Sequence, residues 1–329
     1  MFYSIIVPVY NRPNEVDELL ESLSCLQFKR FEVIIVEDGS TLPCKNRVDK
    51  YIGALDIHYY FKENSGPAQS RNYGAERSNG DYFIFLDSDC IIPKGYFDAV
   101  EKEMITHYAD AFGGPDRAHK SFTKIQKAIN YSMTSFFTTG GIRGGKKKMD
   151  KFYPRSFNMG ISKEVFAALG GFSNIRFGED IDFSIRIYKR NYSCRLFPDA
   201  WVYHKRRTDF KKFFRQVYNS GIARINLYKK YPDTLKLVHL LPAIFTVGMF
   251  VLLLCSLLCP YALILLLFYI LLVFLDAGIQ NKSLSIGLLS VVAAFVQLTG
   301  YGLGFLSAWW KRCVLGKNEF TAFEKNFYN

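Results

Sequence analysis

Two carboxylates separated by one residue, Asp87 and Asp89, directly follow an apolar run from Tyr82 to Leu86. An aromatic and β-branched run of this length is typical of a strand buried in a sheet. Ligands of open α/β sheets bind at the carboxyl ends of the strands, which is where these two acids would lie. Two hard oxygen ligands at this spacing can share one divalent cation, which a nucleotide diphosphate needs beside it. An Asp-x-Asp pair alone is common in loops. The preceding strand is what makes this pair a candidate metal site.

The elements before this pair alternate between strand and helix. Ser4 to Val9 and Phe31 to Val36 read as strands, and an amphipathic helix is predicted between them. Further helices are predicted over residues 66–77 and 98–108. This alternation predicts a βαβ nucleotide-binding half with a parallel sheet. No Gly-x-Gly-x-x-Gly follows the first strand, so a dinucleotide-binding Rossmann site is excluded.

The second half of the polar region is less regular. Residues 113–150 are rich in glycine and threonine, and we expect mobile active-site loops there. Helical spacing resumes over 179–190, and a short strand is predicted within 193–203. The segment 208–231 mixes aromatic and basic residues, which suits an amphipathic helix in the headgroup layer of a membrane. The alternative for this segment is an ordinary surface helix that covers a core.

A hydrophobic block follows this segment. Leu240 to Leu275 is nearly free of charge, and a second uncharged run covers Leu284 to Trp310. Such runs can cross about 30 Å of hydrocarbon at least twice, so they predict membrane insertion. Cys259 and Pro260 either separate two short spanning helices or mark a bend in a re-entrant hairpin. Two or three membrane helices are therefore possible, and three is the preferred count.

Basic residues flank the block on both sides: Lys229, Lys230 and Lys236 before it, and Lys311, Arg312 and Lys317 after it. If both flanks face the cytoplasm, as positive charges near spanning helices prefer, the block crosses the membrane an even number of times. Three crossings would place the basic carboxyl tail outside. The sequence alone leaves this conflict open.

The amino-acid composition indicates the cellular compartment of the protein and the kinds of partner it binds. The net charge is +12, but the basic residues cluster near the hydrophobic block and form no recognisable nucleic-acid reader, so no nucleic acid is expected as a partner. They are better placed to meet anionic lipid headgroups or acidic substrates. The seven cysteines contain no Cys-x-x-Cys pair, which indicates a reduced compartment without structural zinc. The first strand begins almost at Met1, so we expect no signal peptide and a cytoplasmic amino-terminal part.

Four segments, taken together, carry a resemblance: residues 5–11, 33–40, 64–74 and 85–89. In order and spacing they closely resemble the family-2 glycosyltransferases, over roughly the first 205 residues. The resemblance implies an α/β, A-type glycosyltransferase fold, a Rossmann-like mixed sheet flanked by helices, followed by transmembrane α-helices. The expected domains are a catalytic glycosyltransferase domain (1–207), an amphipathic interfacial helix or linker (208–236), transmembrane helices (237–310) and a basic C-terminal tail (311–329).

The resemblance assigns roles at the donor site. The residues that it implies for binding the nucleotide and its phosphates are Pro8, Tyr10, Asp38, Gly66, Arg71 and Asp87. The metal motif is matched by Asp87 and Asp89, with His204 as a further ligand, and the implied cofactor is Mg²⁺ or Mn²⁺. Taken singly, Asp38 could be a turn residue before a glycine, and Arg71 could be a surface arginine.

The segment 178–183 resembles the second acidic motif of the family, in which Asp180 would be the general base and Glu179 its neighbour. A sugar hydroxyl is a poor nucleophile until a carboxylate takes its proton. The local alternative is that both acids simply favour the first turn of a helix. Processive polysaccharide synthases of the family carry Gln-x-x-Arg-Trp, and the corresponding region 215–221 lacks the Arg-Trp pair, which favours addition of one sugar per acceptor.

The predicted function is inverting, metal-dependent transfer of a single sugar from a nucleotide-diphosphate sugar to the hydroxyl of a lipid-linked acceptor. It would take place at the cytoplasmic face of the membrane, in surface polysaccharide or glycolipid synthesis, with membrane lipids as further partners. The predicted location is the cell inner membrane, as a multi-pass protein with a cytoplasmic catalytic domain. The alternatives are a polyprenyl-phosphate glycosyltransferase, a nucleotidyltransferase and a non-catalytic membrane scaffold.

Overall fold

The computed structural model of the chain describes residues 1–119, 121–139, 152–175 and 177–322. They form two compact units. The first contains residues 1–119, 152–175 and 177–205, and the second contains residues 121–139 and 206–322.

The first unit is built on two sheets. In chain order its strands are β1 (Tyr3–Val9), β2 (Phe31–Asp38), β3 (Ile57–Lys62), β4 (Tyr82–Leu86), β5 (Cys90–Ile91), β6 (Ala111–Gly113), β7 (Asp116–Arg117), β8 (Asn158–Ser162), β9 (Cys194–Leu196) and β10 (Val202–His204). The large sheet has the order β3-β2-β1-β4-β8-β6-β9, and a small sheet has the order β5-β10-β7. Strands β1 to β4 are parallel to one another, whereas β8 runs antiparallel to both β4 and β6. The sheet is therefore mixed, as the fold class predicted.

The helices flank this sheet or form the second unit. In chain order they are α1 (Pro13–Ser24), α2 (Lys45–Val48), α3 (Pro67–Ala75), α4 (Tyr96–Thr106), α5 (Lys124–Thr134), α6 (Phe136–Thr139), α7 (Lys163–Leu169), α8 (Glu179–Lys189), α9 (Phe210–Lys230), α10 (Leu241–Cys255), α11 (Leu263–Asn281) and α12 (Leu284–Trp309). Helices α1 and α4 cover one face of the large sheet, and α3, α7 and α8 cover the other. Because both faces are covered, the middle residues of the central strands are apolar, which is why they read as continuous hydrophobic runs in the sequence.

Most predicted elements of the first unit are confirmed, including the strands at β1, β2 and β4 and the helices at α1, α3, α4 and α8. Strand β3 was not predicted, because its Ile-His-Tyr-Tyr-Phe-Lys run is only half-buried at the sheet edge. The expectation of loops over 113–150 is wrong for residues 124–134 and 136–139, which are helical. A capping box, in which Thr123 and Gln126 bond each other's backbone N–H, starts α5. The remainder of that prediction, residues 140–150, lies outside the described residues.

In the second unit, α12 is the central helix and packs against α5, α9, α10 and α11. Contact with α9 is close because small residues face it: a Cβ on Gly304 would lie 2.0 Å from the carbonyl oxygen of Tyr218. Phe213 and Val217 on the apolar side of α9 are buried in a cluster with Ala293 of α12. This burial favours the alternative for the segment 208–231, a helix that covers a core.

Two helices are long and apolar enough to cross a membrane, in the segments Pro260–Asn281 and Leu284–Val314. Helix α10 is apolar but has only 15 residues. Of the two counts that the sequence left open, the helix lengths therefore favour two spans over the preferred three.

The two ends of the hydrophobic block lie side by side. Ala243, near the start of α10, packs with Phe305 and Ala308, near the end of α12. Just beyond α12, the guanidinium of Arg312 donates a hydrogen bond to Asn226 of α9 at 2.7 Å. The basic flank before the block and the basic flank after it are therefore at the same end of this unit.

Candidate functional site

Polar side chains of the first unit gather where the parallel strands β1, β2 and β4 end. Asp38 is the last residue of β2, and Asp87 and Asp89 follow β4 directly. Because β1 pairs with both of these strands in parallel, the three carboxyl ends share one edge of the sheet. The sequence placed the acids at this edge, and the structure puts them there.

Asp38 holds the loop that starts α3. One of its carboxylate oxygens accepts a hydrogen bond from the backbone N–H of Ser65 at 2.9 Å, and the other accepts one from Gly66 at 2.8 Å. The ammonium of Lys62 also pairs with this carboxylate. Gly66 has a φ of 89°, a conformation that favours glycine. The structure thus brings Asp38 and Gly66 together.

The other two residues assigned to the nucleotide pocket lie on and just after β1. Pro8 is buried within the strand, and Tyr10 is half-buried one residue beyond it. A fourth acid at this edge, Glu37, was not predicted. It is buried and accepts hydrogen bonds from the backbone of Cys44 at 2.7 Å and from the hydroxyl of Ser40. Glu37 therefore fixes the segment after β2.

Arg71 joins the two acidic motifs. Its guanidinium donates to Asp87 at 2.7 Å and to Glu179 at 3.1 Å, and it lies over the ring of Phe172 at 5.6 Å from the ring centre. Its side chain is 3% exposed, so the surface-arginine alternative is wrong. A guanidinium fixed in this way presents a rigid fork of donors, which suits carboxylate or phosphate oxygens.

Asp89 and Asp87 share His204 as a neighbour. The Nε2 atom of His204 lies 3.2 Å from an oxygen of Asp89 and 3.6 Å from an oxygen of Asp87. The imidazole stacks on the ring of Phe157, with ring centres 4.7 Å apart. Asp89 also pairs with the guanidinium of Arg12, and this carboxylate raises the pKa of Arg12. The structure therefore brings all three predicted metal ligands together and adds a cation that was not predicted.

The donor chemistry of this cluster fits a divalent metal ion. Ligand atoms of Asp89, Cys90 and His204 lie within 4.8 Å of one another. The Nδ1 atom of His204 is buried and has no hydrogen-bond partner within the described chain. The Cys90 thiol points to the carbonyl oxygen of Phe157 at 3.5 Å, which leaves carboxylate oxygens and one imidazole nitrogen as the available donors. Such a set suits Mn²⁺ and, with fewer nitrogen ligands, Mg²⁺.

Asp180 and Glu179 begin α8, just after Gly178, which has a φ of 86°. Asp180 accepts a hydrogen bond from the backbone N–H of Ile181 at 2.8 Å and pairs with Nε of Arg155 at 2.7 Å. Burial, together with the neighbouring charge of Asp180, raises the pKa of Glu179 to about 7, and Arg71 opposes this shift. The two acids are in a first helical turn, as the local alternative proposed, but they also face the cations of the site.

Comparison with known proteins agrees with this geometry. Residues 4–170, about half of the chain, match the family model "Glycosyl transferase family 2". The chain belongs to this family. An uncharacterised glycosyltransferase of Haemophilus influenzae is 32% identical over 56% of this chain and 61% of its own length. The minor teichoic acid biosynthesis protein GgaB of Bacillus subtilis is 34% identical over 63% of this chain and 23% of its own length.

Among solved structures, the mannosyltransferase PcManGT from Pyrobaculum calidifontis, determined with GDP-Man and Mn²⁺, has a TM-score of 0.63. It is 16% identical, with 90% of this chain and 86% of that chain covered, so the likeness shows the fold alone. This chain spans between 12% and 61% of the length of the curated relatives compared. The fold and the site thus define a family-2 glycosyltransferase domain of the A-type architecture.

Proposed function

We propose that the chain transfers a single sugar from a nucleotide-diphosphate sugar to an acceptor hydroxyl, with inversion at the anomeric carbon. The observation that carries this proposal is the meeting of two acidic motifs through Arg71, which contacts both Asp87 and Glu179. One motif supplies ligands for a metal–diphosphate group, and the other supplies a base for the acceptor. A non-catalytic scaffold or a nucleotidyltransferase would have no need of the second motif beside the first.

The residues of the donor site would have the following roles. Asp38 and Gly66 shape the loop against the nucleotide, with Pro8 and Tyr10 on β1. Asp87, Asp89 and His204 would hold Mg²⁺ or Mn²⁺, which supplies Lewis-acid neutralisation of the leaving diphosphate. Guanidinium groups are well suited to the remaining phosphate oxygens, and two of them lie at this edge of the sheet, on Arg12 and Arg71.

Asp180 would act on the acceptor. Its carboxylate accepts the hydroxyl proton while the hydroxyl oxygen attacks the anomeric carbon from the face opposite the diphosphate. The bond between that carbon and the diphosphate oxygen breaks, and its electron pair leaves with the diphosphate. A carboxylate within hydrogen-bond reach of the acceptor contributes about 10²- to 10⁴-fold to such a step.

The proposed acceptor is lipid-linked, and the proposed pathway is surface polysaccharide or glycolipid synthesis. Two observations support this: the two apolar helices long enough to span a membrane, and the relative named for minor teichoic acid biosynthesis. The proposed location is the cell inner membrane, as a multi-pass protein with its catalytic residues on the cytoplasmic side. Membrane lipids would contact the exposed apolar side chains of α10 and α11.

The test is a donor screen on detergent-solubilised protein. Release of free nucleoside diphosphate is recorded from UDP-, GDP- and dTDP-sugars, with manganese, with magnesium and with chelator. We expect metal-dependent release from one donor, lost in Asp89→Ala, with Lys94→Ala as an exposed control just after β5. No release from any donor, even with membrane lipid extract as the acceptor source, would contradict the proposal.

The same assay separates the two kinds of acceptor. We expect Asp180→Asn to reduce transfer to a hydroxyl acceptor by about 10²-fold or more, because the base is lost. If transfer to a simple polyprenyl phosphate survived in Asp180→Asn, the chain would instead be a polyprenyl-phosphate glycosyltransferase, whose acceptor is already an anion.

A further inference from the structure

Both oxygens of Asp180 have a partner within the described chain. One accepts a hydrogen bond from the backbone N–H of Ile181 at 2.8 Å, and the other pairs with Nε of Arg155 at 2.7 Å. A guanidinium on a carboxylate occupies a lone pair that an acceptor hydroxyl could otherwise use. Arg155 holds one of the two carboxylate oxygens, so moving Arg155 to another anion would free that oxygen for an acceptor hydroxyl.

The backbone around Arg155 is fixed to the helix that carries Asp180. The hydroxyl of Tyr188 donates to the carbonyl oxygen of Phe152 at 2.5 Å, and the hydroxyl of Ser184 donates to that of Pro154 at 3.0 Å. Both hydroxyls are on α8. Movement at this position is therefore confined to the Arg155 side chain, which can rotate without disturbing the base.

Arg155 is also the most accessible of the cations that pair with the site's acids in the described chain. Its side chain is 37% exposed, compared with 29% for Arg12, 13% for Lys62 and 3% for Arg71. Arg12 and Arg71 contact the acids of the predicted donor end. Arg155 contacts the predicted base, which is the end that an acceptor must reach.

We propose that Arg155 recognises a phosphate group on the acceptor, and that this contact releases Asp180 to act as the base. The acceptor class is a hydroxyl compound that carries a phosphate monoester or diphosphate close to the reacting hydroxyl. A guanidinium binds phosphate oxygens in a bidentate manner, so the exchange replaces one ion pair by another. An acceptor without phosphate would leave Arg155 on Asp180 and would react slowly. This inference rests on the proposed function, because it assumes that Asp180 takes the acceptor proton.

Hydrolysis of the donor gives a readout that does not require the natural acceptor. In this reaction, the water oxygen bonds to the anomeric carbon and a water proton goes to Asp180. The bond to the diphosphate breaks with its electron pair on the leaving group. Methyl phosphate serves as the probe, because it offers the phosphate without a competing sugar, and sodium chloride at equal ionic strength is the salt control.

In the wild-type protein we expect methyl phosphate to accelerate donor hydrolysis by about fivefold. This is the change in rate that corresponds to the loss of one partly exposed ion pair, here the pair between Arg155 and Asp180. Arg155→Gln should hydrolyse the donor at this higher rate without methyl phosphate and should not respond to it. Arg190→Gln removes a cation from the exposed end of α8 and should behave as the wild type. Arg155→Lys keeps the charge but not the fork of donors, so its rate of donor hydrolysis should rise only slightly with methyl phosphate.

Three results would overturn the inference. The first is a wild-type rate that methyl phosphate leaves unchanged, and the second is an Arg155→Gln rate that still rises with methyl phosphate. The third is an Arg155→Gln rate as low as that of Asp180→Asn while the melting temperature is unchanged, which would mean that Arg155 only orients the base. Absence of nucleoside diphosphate release from the wild type under every condition, with membrane lipid extract included, is a different result, because it contradicts the proposed function itself.

Discussion

Each acid assigned to the site is paired with a cation of the described chain. Lys62 pairs with Asp38, Arg71 with Asp87 and Glu179, Arg12 with Asp89, and Arg155 with Asp180. Removal of several carboxylates from water would be costly without these partners. Under the proposed function, ligand binding at this site would be an exchange of partners, in which phosphate and metal replace these ion pairs.

Glu179 should make the stability of the protein depend on pH. Its pKa is raised to about 7 in the folded chain, from an ordinary 4.5. The folded state thus holds a proton that the unfolded state has lost between these two values, so stability falls as the pH rises through this window. We expect Glu179→Gln to remove this fall. On going from acid to neutral pH, the free energy of unfolding of Glu179→Gln should rise by ~1 kcal/mol or more relative to that of the wild type.

The measurement is the free energy of unfolding by urea in detergent, across the window between the two pKa values. Glu76→Gln is the control, because Glu76 is exposed and far along the chain from the acidic motif. Parallel pH profiles for the wild type and Glu179→Gln would show that Glu179 titrates normally, and the assigned burial effect would then be wrong.

The acids assigned to the site could be predicted from the sequence, whereas of the cations that pair with them only Arg71 could. Asp87 and Asp89 follow an unmistakable strand, and Asp180 lies in a second motif with a matching pattern. Arg12 and Asp89 are 77 residues apart, and their pairing depends on the order of strands in the sheet. Arg155 has no local signal at all. Which cation pairs with which acid depends on distances in the folded chain, and the spacing of residues along the sequence does not give these distances.

At the scale of elements, α9 and α12 pack by close approach of small residues. A Cβ on Gly304 would lie 2.0 Å from the carbonyl oxygen of Tyr218, and a Cβ on Gly221 would lie 2.2 Å from that of Tyr301. Glycine on both helices lets the two backbones touch, which is how helices associate closely where hydrophobic driving force is weak.

Gly304→Ala should therefore destabilise the second unit, by about 1–3 kcal/mol, because the new methyl group overlaps a backbone oxygen that cannot move away cheaply. Gly248→Ala is the matched control: this glycine is also helical, in α10, and a Cβ there meets nothing within 4 Å. We expect Gly248→Ala to be neutral or stabilising by up to about 1 kcal/mol, through helix propensity. The thermal midpoints in detergent check both, and equal midpoints for the two variants would contradict the packing argument.

Elements with a strong internal pattern were predictable, and those defined by their neighbours were not. The central strands and the helix α8 carry their own hydrophobic periodicity. Strand β3 is half-buried at a sheet edge, so its pattern is weak. Helix α5 was missed because the glycine and threonine around it suggested loops, although its capping box is visible as Thr123 followed three residues later by Gln126.

At the scale of the whole molecule, the structure bears on the conflict over membrane crossings. Two helices are long enough to span, and the start of α10 lies beside the end of α12. An even number of crossings returns the chain to the side on which it entered. Lys236 and Arg312 would then face the same compartment, in agreement with the preference of basic flanks for the cytoplasm.

This topology predicts the behaviour of reporter fusions. Green fluorescent protein fused after Asn329 should fluoresce, and alkaline phosphatase at the same position should be inactive, because both would be cytoplasmic. Alkaline phosphatase inserted after Lys282, in the turn between α11 and α12, should be active. Active phosphatase after Asn329 would require an odd number of crossings and would contradict the arrangement.

Helix α5 completes the second unit from a distant part of the chain. Its Tyr131 donates a hydrogen bond at 2.6 Å to Asp276 of α11, 145 residues later. During synthesis, α5 leaves the ribosome on the order of 10 s before α11 does, at ordinary translation rates. The apolar side of α5 gains its first partner in this unit only with α9, whose Phe213 and Val217 pack in a cluster with Ile129. The hydrophobic helices α11 and α12 likewise pack against α5, which was translated earlier. A carboxyl-terminal fragment expressed alone would therefore lack one helix of its own bundle.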